Sequence, residues 1–141
     1  MSDDEERIIP QAGGLPFLEG ADGPRVVMIT SRTTGAWIFP KGMIDPGETP
    51  ESTAVTEAWE EAGIVGEVVG PVLGSYDSPR WQATARISLY PLRVDELLDE
   101  WQEQSSRERA VVSLGEARLA MAPPLVALVD AFDRWYSQPD E

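Results

Sequence analysis

The chain has no cysteine and no histidine, and it has a single lysine. Without cysteine it can form neither a structural disulfide nor a thiolate metal site. Without histidine it lacks the commonest general base and the commonest zinc ligand. Acid–base or metal chemistry in this protein therefore has to use carboxylates. No apolar run approaches the roughly 20 residues that a membrane-spanning helix needs, so we expect no membrane partner.

Positive charge is also scarce, because eleven basic side chains stand against 25 acidic ones and leave a net charge of −14. Such a field repels long polyanions, so we expect no long nucleic acid as a partner. A solvated surface accounts for most of this acidity, and only local charge patterns point to function. The amino-terminal stretch MSDDEER is acidic where a secretory signal would be basic and then apolar, which predicts a cytoplasmic protein.

The length of 141 residues predicts one domain, which we place at residues 8–137 between frayed acidic ends at 1–7 and 138–141. Apolar and β-branched patterns predict strands in the segments 12–18, 25–31, 36–40, 64–78, 83–94 and the first part of 109–121. The turn TTG joins the second and third of these as a hairpin.

Proline and glycine mark the other predicted boundaries. The stretch KGMIDPGETP at residues 41–50 is predicted to be a structured loop, and Pro91 predicts an edge strand or a bulge. A short helix ends the 109–121 segment, and Pro124 begins a terminal helix. Strands, a helix, more strands and then helices predict an α/β protein of the α+β type, with a mixed sheet covered by helices.

The most informative segment is an acidic helix predicted at residues 50–62. Thr49 suits its N-cap, Pro50 its first position, and Gly63 the left-handed residue that closes it. On a helical wheel an arc of ~140° holds a predicted buried stripe. The stripe consists of Ala54, Val55, Ala58, Trp59 and Ala62. The wheel places Glu57, Glu60 and Glu61 together on another face.

These carboxylates indicate either a metal site or a merely solvated helix face, and both interpretations remain open. Glu60 and Glu61 lie in the last turn, where the helix dipole disfavours negative charge. Mg²⁺ or Mn²⁺ would supply the missing positive charge and takes oxygen ligands. A backbone carbonyl from Lys41 or Gly42 could join the carboxylates. Lys41 is either an ordinary surface lysine or a point charge for a substrate phosphate.

The spacing of these residues resembles the Nudix box. The chain has Gly42, five residues, Glu48 and seven further residues, followed by the run Thr56, Glu57, Ala58, Trp59, Glu60, Glu61, Ala62, Gly63 and Ile64. The family has an arginine where this chain has Thr56. VMITSR, WIFPKG and RERAVVSLGEA are also similar to parts of the diphosphoinositol and diadenosine polyphosphate hydrolase branch.

The resemblance implies an α/β/α sandwich that hydrolyses a diphosphate linkage in a nucleoside diphosphate derivative, a dinucleoside polyphosphate or a related compound. It implies Mg²⁺ or Mn²⁺ held mainly by Glu57 and Glu61, with Glu60 as a further ligand or the general base. The implied contact to a small phosphorylated substrate is Arg32, with Lys41 as a further candidate. Arg80 and Arg86 either line the same groove or, like most strand arginines, face solvent. Because the first strand, IIPQAGG, has no arginine, a heavily phosphorylated inositol fits less well than a nucleotide derivative.

The main difference between this chain and the Nudix box is Thr56. The resemblance implies that the arginine normally found there holds Glu48 and steadies the catalytic glutamates. Threonine cannot form that bidentate pair, because it has neither the charge nor the reach. Either a metal or another arginine compensates, or the protein is a weakened or inactive module that binds a nucleotide or protein partner. A helix that only binds a basic protein would leave the spacing of Gly42, Glu48 and Gly63 unexplained. The sequence leaves monomer and homodimer open.

Overall fold

The computed structural model describes residues 7–138, and these form one mixed eight-stranded sheet with three α-helices. The strands are β1 (Ile8–Leu18), β2 (Arg25–Thr30), β3 (Trp37–Ile38), β4 (Lys41–Met43), β5 (Ile64–Val68), β6 (Gly74–Arg80), β7 (Ala83–Leu97) and β8 (Arg109–Ser113). The helices are α1 (Pro50–Ala62), α2 (Leu114–Ala120) and α3 (Pro123–Tyr136). Among residues 7–138, no helix is both long and apolar enough to cross a membrane.

The centre of the sheet is a parallel pair formed by the two long strands β1 and β7. Beyond β1 lie β2 and β4, and β2 continues to β3 and β8. Beyond β7 lie β5 and β6, and the other strand-to-strand pairings are antiparallel. An isolated parallel bridge also joins Trp37 to Met121. The mixed sheet is therefore confirmed, as is the hairpin between β2 and β3, in which Ile29 pairs with Ile38.

Helices cover both faces of this sheet and bury two apolar clusters. Helix α1 packs its alanines against β2, β5 and β7 in a cluster that includes Val27, Ile29 and Leu92. Helices α2 and α3 cover the opposite face, where Phe17 and Phe132 lie 5.1 Å apart between ring centroids. Burial of these side chains provides the main driving force for the fold. The predicted α/β/α sandwich is confirmed.

The predicted loop at residues 41–50 is partly wrong, because its first residues form strand β4. Lys41–Met43 pairs with Gln11, Ala12 and Gly13 of β1. The two backbones come close at Gly13, where a Cβ would lie 2.6 Å from the Cβ of Lys41. Glycine here therefore allows two strands to pair closely, and does not only mark turns. The first strand also begins at Ile8, and the last helix begins at Pro123.

The expectation that Pro91 marks an edge strand or bulge is wrong, because β7 has neighbours on both sides. Pairing of β7 with β5 ends at Leu92, and pairing with β6 begins at Leu89. Pro91 lies between them, and its carbonyl accepts a hydrogen bond of 3.0 Å from the Val69 amide. The backbone nitrogen and oxygen of a strand residue point to the same side of the strand. The Pro91 nitrogen, which carries no proton, therefore faces the gap between β5 and β6, where no strand needs it as a donor.

Helix α1 has the predicted bounds. Thr49 caps it and forms a reciprocal capping box with Ser52, and Gly63 has the left-handed φ of 68°. The predicted buried stripe is partly wrong, because Trp59 is 48% exposed and Glu61 only 7% exposed. Glu61 lies only ~20° from Ala54 on the wheel, whereas Trp59 lies ~140° away. The buried face is thus rotated toward Glu61.

Candidate active site

The carboxyl-terminal half of α1 lies against strand β4, and Gly42 makes this close approach possible. A Cβ at Gly42 would lie 2.6 Å from each carboxyl oxygen of Glu57. Gly42 does not have a left-handed backbone, so its small size rather than its flexibility is what the structure uses. The Glu57 carboxyl group therefore rests directly on the backbone of β4.

Glu57 and Glu61 form a carboxyl pair with a hydrogen bond between their side chains. Burial, followed by the charges of Glu61 and Glu60, raises the pKa of Glu57 to about 8. Burial also raises the pKa of Glu61, although the nearby Arg107 opposes that shift. Two carboxyl groups this close do not both ionise readily, so at neutral pH the pair holds a proton.

Glu60 does not join this pair. It follows Glu57 by three residues, and it points ~100° away from Glu61 around the helix axis. Within residues 7–138, no three carboxylates are gathered closely enough to hold a metal ion. The expectation that all three glutamates present their oxygens together is therefore wrong for this arrangement, which brings only Glu57 and Glu61 into contact.

Both oxygens of Glu61 have partners. Oε1 accepts a hydrogen bond of 3.3 Å from the Lys41 amide, and Oε2 lies 3.3 Å from Nη2 of Arg107. Arg107 also donates from Nε to Oε1 of Glu103 at 2.8 Å and from Nη1 to the Thr30 carbonyl at 2.9 Å. The Glu61 carboxylate is therefore tied to strand β4 and to the segment before β8.

Arg107 and Glu103 were not predicted as site residues. Arg107 belongs to RERAVVSLGEA, a segment similar to part of the hydrolase branch, and Glu103 lies in a polar segment without periodicity. Nothing in their spacing marks them, since they meet Glu61 only through the folding of the sheet. Glu103 also lies 3.7 Å from Arg32, and its charge raises the pKa of Glu57 further.

The carboxyl-terminal end of α1 is held by the segment between β7 and β8. The Glu61 carbonyl accepts a hydrogen bond of 3.0 Å from Nε1 of Trp101, and the Ala62 carbonyl accepts one of 2.9 Å from Arg109. The Arg109 guanidinium lies 4.2 Å from the centre of the Trp101 ring. A cation from another element therefore opposes the helix dipole, although α1 has no basic residue in its last turn.

A polar groove of 380 Å³ lies beside this carboxyl pair. Four of the eleven basic side chains line it, namely Arg32, Lys41, Arg80 and Arg107. Glu61 and the almost fully buried Gln11 also line the groove. Burial lowers the pKa of Lys41, while Glu61 opposes this shift. Positive charge is thus concentrated beside buried carboxylates in a strongly acidic protein.

The structure places Arg86 outside this groove. Arg86 on β7 is paired across strands with Asp77 on β6, at 2.9 Å from Nε and 3.0 Å from Nη2 to the two carboxylate oxygens. Both side chains are about half exposed. Of the four predicted substrate contacts, the groove brings together Arg32, Lys41 and Arg80 but leaves Arg86 in a surface ion pair.

Glu48 is held by a hydroxyl group rather than by an arginine. Its Oε1 accepts a hydrogen bond of 2.6 Å from Oγ of Ser52, which also belongs to the capping box of α1. Thr56 is exposed and lines a small groove of 180 Å³ together with Glu48 and Glu57. The residue that replaces the motif arginine therefore lies beside the carboxylates that an arginine there would face.

Comparison with known proteins agrees with this architecture. The NUDIX domain family matches the chain over residues 10–135. Diphosphoinositol polyphosphate phosphohydrolase 3-alpha of Mus musculus is 32% identical over 103 residues, which cover 73% of this chain and 62% of that protein. The mitochondrial Nudix hydrolase 16 of Arabidopsis thaliana is 32% identical over 126 residues, which cover 81% of this chain and 68% of the relative.

The fold is also found in solved structures. A C. elegans Ap4A hydrolase binary complex superposes with a TM-score of 0.79 at 17% identity, covering 92% of this chain and 98% of the other. At that identity the superposition supports the fold alone. The family match, by contrast, spans nearly the whole chain and includes the glycine and glutamate positions described above. This chain therefore belongs to the NUDIX domain family.

Proposed function

We propose that this protein hydrolyses a diphosphate linkage in a small phosphorylated substrate. The observation that carries the proposal is the juxtaposition of a groove lined by four basic side chains and the carboxyl pair formed by the partly buried Glu57 and the buried Glu61. Basic side chains bind phosphate oxygens, and carboxylates can hold a metal or take a proton. The names of the mouse and C. elegans proteins, a diphosphoinositol polyphosphate phosphohydrolase and an Ap4A hydrolase, are consistent with this reaction class.

The donor groups of the site fit a divalent cation such as Mg²⁺ or Mn²⁺. Glu57 and Glu61 offer carboxylate oxygens beside the backbone of Lys41 and Gly42, and Mg²⁺ is commonly held by one or two carboxylates with water and substrate phosphates completing its shell. The absence of a side chain at Gly42 allows the Glu57 carboxyl group to lie against the backbone of β4. When bound, such a metal would neutralise the diphosphate and activate water.

The remaining steps fall to side chains of this chain. Arg32, Lys41 and Arg80 would bind and orient the phosphate oxygens, which places the reacting phosphorus near the carboxyl pair. Glu60 is the candidate proton acceptor, because its carboxylate takes no part in the Glu57–Glu61 hydrogen bond or in the Arg107 ion pair.

A nucleotide derivative fits the groove better than a heavily phosphorylated inositol. Arg107 is already paired with Glu61 and Glu103, which leaves three basic side chains for phosphate, and the neutral Gln11 occupies the strand position beside them. Trp81 follows Arg80 at the tip of the β6–β7 hairpin and is 89% exposed. An exposed indole ring offers a stacking surface for a nucleobase.

A substrate screen tests this proposal. Diadenosine polyphosphates, nucleotide sugars, nucleoside triphosphates and diphosphoinositols would be incubated with Mg²⁺ or Mn²⁺, and products followed by phosphorus NMR. We expect turnover of a nucleotide substrate that falls on the order of 10²-fold or more in Glu61→Gln. The matched control is Glu51→Gln, an exposed glutamate in the first turn of the same helix, which should retain activity. Wild-type turnover in Glu61→Gln would show that the assigned site is wrong.

Thr56 supports a second candidate, a module that binds a nucleotide or a protein partner without cleaving it. The basic groove would serve binding equally well, whereas the absence of the motif arginine would weaken catalysis specifically. This candidate predicts saturable nucleotide binding by calorimetry and no metal-dependent product in the screen. Turnover that disappears on substitution of Glu61 would exclude it.

A further inference from the structure

Arg107 connects three separate parts of the fold through three different nitrogen atoms. Nη2 lies 3.3 Å from Glu61 on α1, Nε donates to Glu103 in the segment before β8, and Nη1 donates to the carbonyl of Thr30 at the end of β2. We infer that Arg107 is a positioning residue that fixes the Glu61 carboxylate at the active site. This inference rests on the function proposed above, because it assigns Glu61 a role in catalysis.

The physical basis is the rigidity and burial of the contact. The Arg107 side chain is 6% exposed, and the Glu61 side chain is 9% exposed. A planar guanidinium held at two other points cannot move without breaking hydrogen bonds to Glu103 and Thr30. Because the Lys41 amide holds the other oxygen of Glu61, the carboxylate is fixed from two directions. Its freedom to rotate is therefore largely removed.

A direct role for Arg107 in binding substrate is disfavoured by the same contacts. Its charge is shared between two carboxylates, and each of its three nitrogens has a protein acceptor within 3.3 Å. Arg32 in the same groove has a side chain that is 55% exposed and only a long contact of 3.7 Å to Glu103. Arg32 is thus available to a phosphate group, whereas Arg107 acts through Glu61.

Arg107→Lys tests whether Arg107 acts by positioning the Glu61 carboxylate or only by its positive charge. Lysine keeps the positive charge, but its single nitrogen cannot reach acceptors on three elements. We expect kcat to fall at least tenfold with KM within about twofold of wild type, because an interaction that orders the reacting groups is weakened while phosphate binding is kept. Arg32→Gln is the comparison variant, and it should mainly raise KM.

A second readout does not depend on turnover. In metal-free protein, the exchange rate of the Lys41 amide reports its hydrogen bond to Glu61, and NMR should show it at least tenfold faster in Arg107→Lys. The Leu73 amide, bonded to the Leu89 carbonyl at 2.8 Å on the far side of the sheet, should remain protected and so report an intact fold. This measurement tests the inference even if no substrate is found.

Two outcomes would overturn the inference. One is unchanged Lys41 exchange in Arg107→Lys, which would show that Glu61 keeps its place without the guanidinium. The other is a raised KM with unchanged kcat, which would make Arg107 a substrate contact. Failure of the proposed function looks different: either no substrate is turned over, or Glu61→Gln retains wild-type turnover, while the exchange result still reports on Arg107.

Discussion

Gly42→Ala tests whether the close contact between β4 and the Glu57 carboxyl group matters for catalysis. The added methyl group would lie 2.3 Å from Cδ of Glu57 and 2.6 Å from each of its carboxyl oxygens, whereas ordinary van der Waals contact begins at 3.4 Å. Glu57 or the β4 backbone must therefore move by about 1.1 Å, the difference between 2.3 and 3.4 Å. A displacement of about 1 Å near the reacting groups costs on the order of 10²-fold in rate. We expect a loss of that size in kcat.

The same substitution should affect stability far less. The backbone of Gly42 is outside the left-handed region, so alanine can adopt it without strain. Glu57 is only partly buried, and its flexible side chain can rotate away from the added methyl group, so we expect the free energy of unfolding to change by less than about 1 kcal/mol. Urea denaturation should therefore show a midpoint close to that of the wild type.

Gly115→Ala is the matched control. A Cβ at this helical position would meet only Oγ of Ser113, at 3.9 Å, and α2 contributes no residue to the groove. It should leave kcat unchanged and stabilise the protein by roughly 0.5–1 kcal/mol. The reasoning about Gly42 would be refuted if Gly42→Ala kept kcat within about threefold of wild type.

Three further substitutions test other parts of the structure. Thr56→Arg should keep or raise kcat on the best substrate, because a guanidinium there faces Glu48 and Glu57 across a shared groove; a tenfold loss would contradict this. Trp81→Ala should raise KM about tenfold for a dinucleoside polyphosphate but not for a diphosphoinositol, since base stacking contributes about 1–3 kcal/mol. Phe132→Ala should lower the free energy of unfolding by about 3–5 kcal/mol in urea titrations, because its ring is fully buried.

Features of the fold that depend on neighbouring residues were predictable from the sequence. The bounds of α1 follow from Thr49, Pro50 and Gly63, which act on the backbone within one turn of the helix. The β2–β3 hairpin likewise follows from a short turn between two apolar segments. In both cases the residues that determine the element lie within it or directly beside it in the sequence.

Features that depend on distant pairing were not predictable in this way. Pro91 gives an edge signal locally, but its position in the central β7 follows from where β5 ends and β6 begins. The burial of Glu61 depends on Arg107 and on the Lys41 amide, both far from it along the chain. A helical wheel places Glu61 only ~20° outside the apolar arc, but it cannot include the partners that allow a glutamate to be buried there.

The contacts of Arg109 and Trp101 change the argument for a metal. The acidic last turn of α1 first indicated a cation, but its carbonyls are already bound by these two side chains. The metal proposal therefore rests on the Glu57–Glu61 pair and on the space at Gly42, where two carboxyl groups share a buried position that a divalent ion would stabilise.

The contacts of Glu48 and Glu61 also bear on the replacement of the motif arginine by Thr56. A missing arginine would weaken catalysis most if it left both Glu48 and the catalytic glutamates without support. In this chain the Ser52 hydroxyl binds Glu48, and the Arg107 guanidinium binds Glu61. Because these two side chains supply the contacts in place of a residue at position 56, threonine there is compatible with an ordered carboxylate site. This arrangement favours a working hydrolase over an inactive binding module.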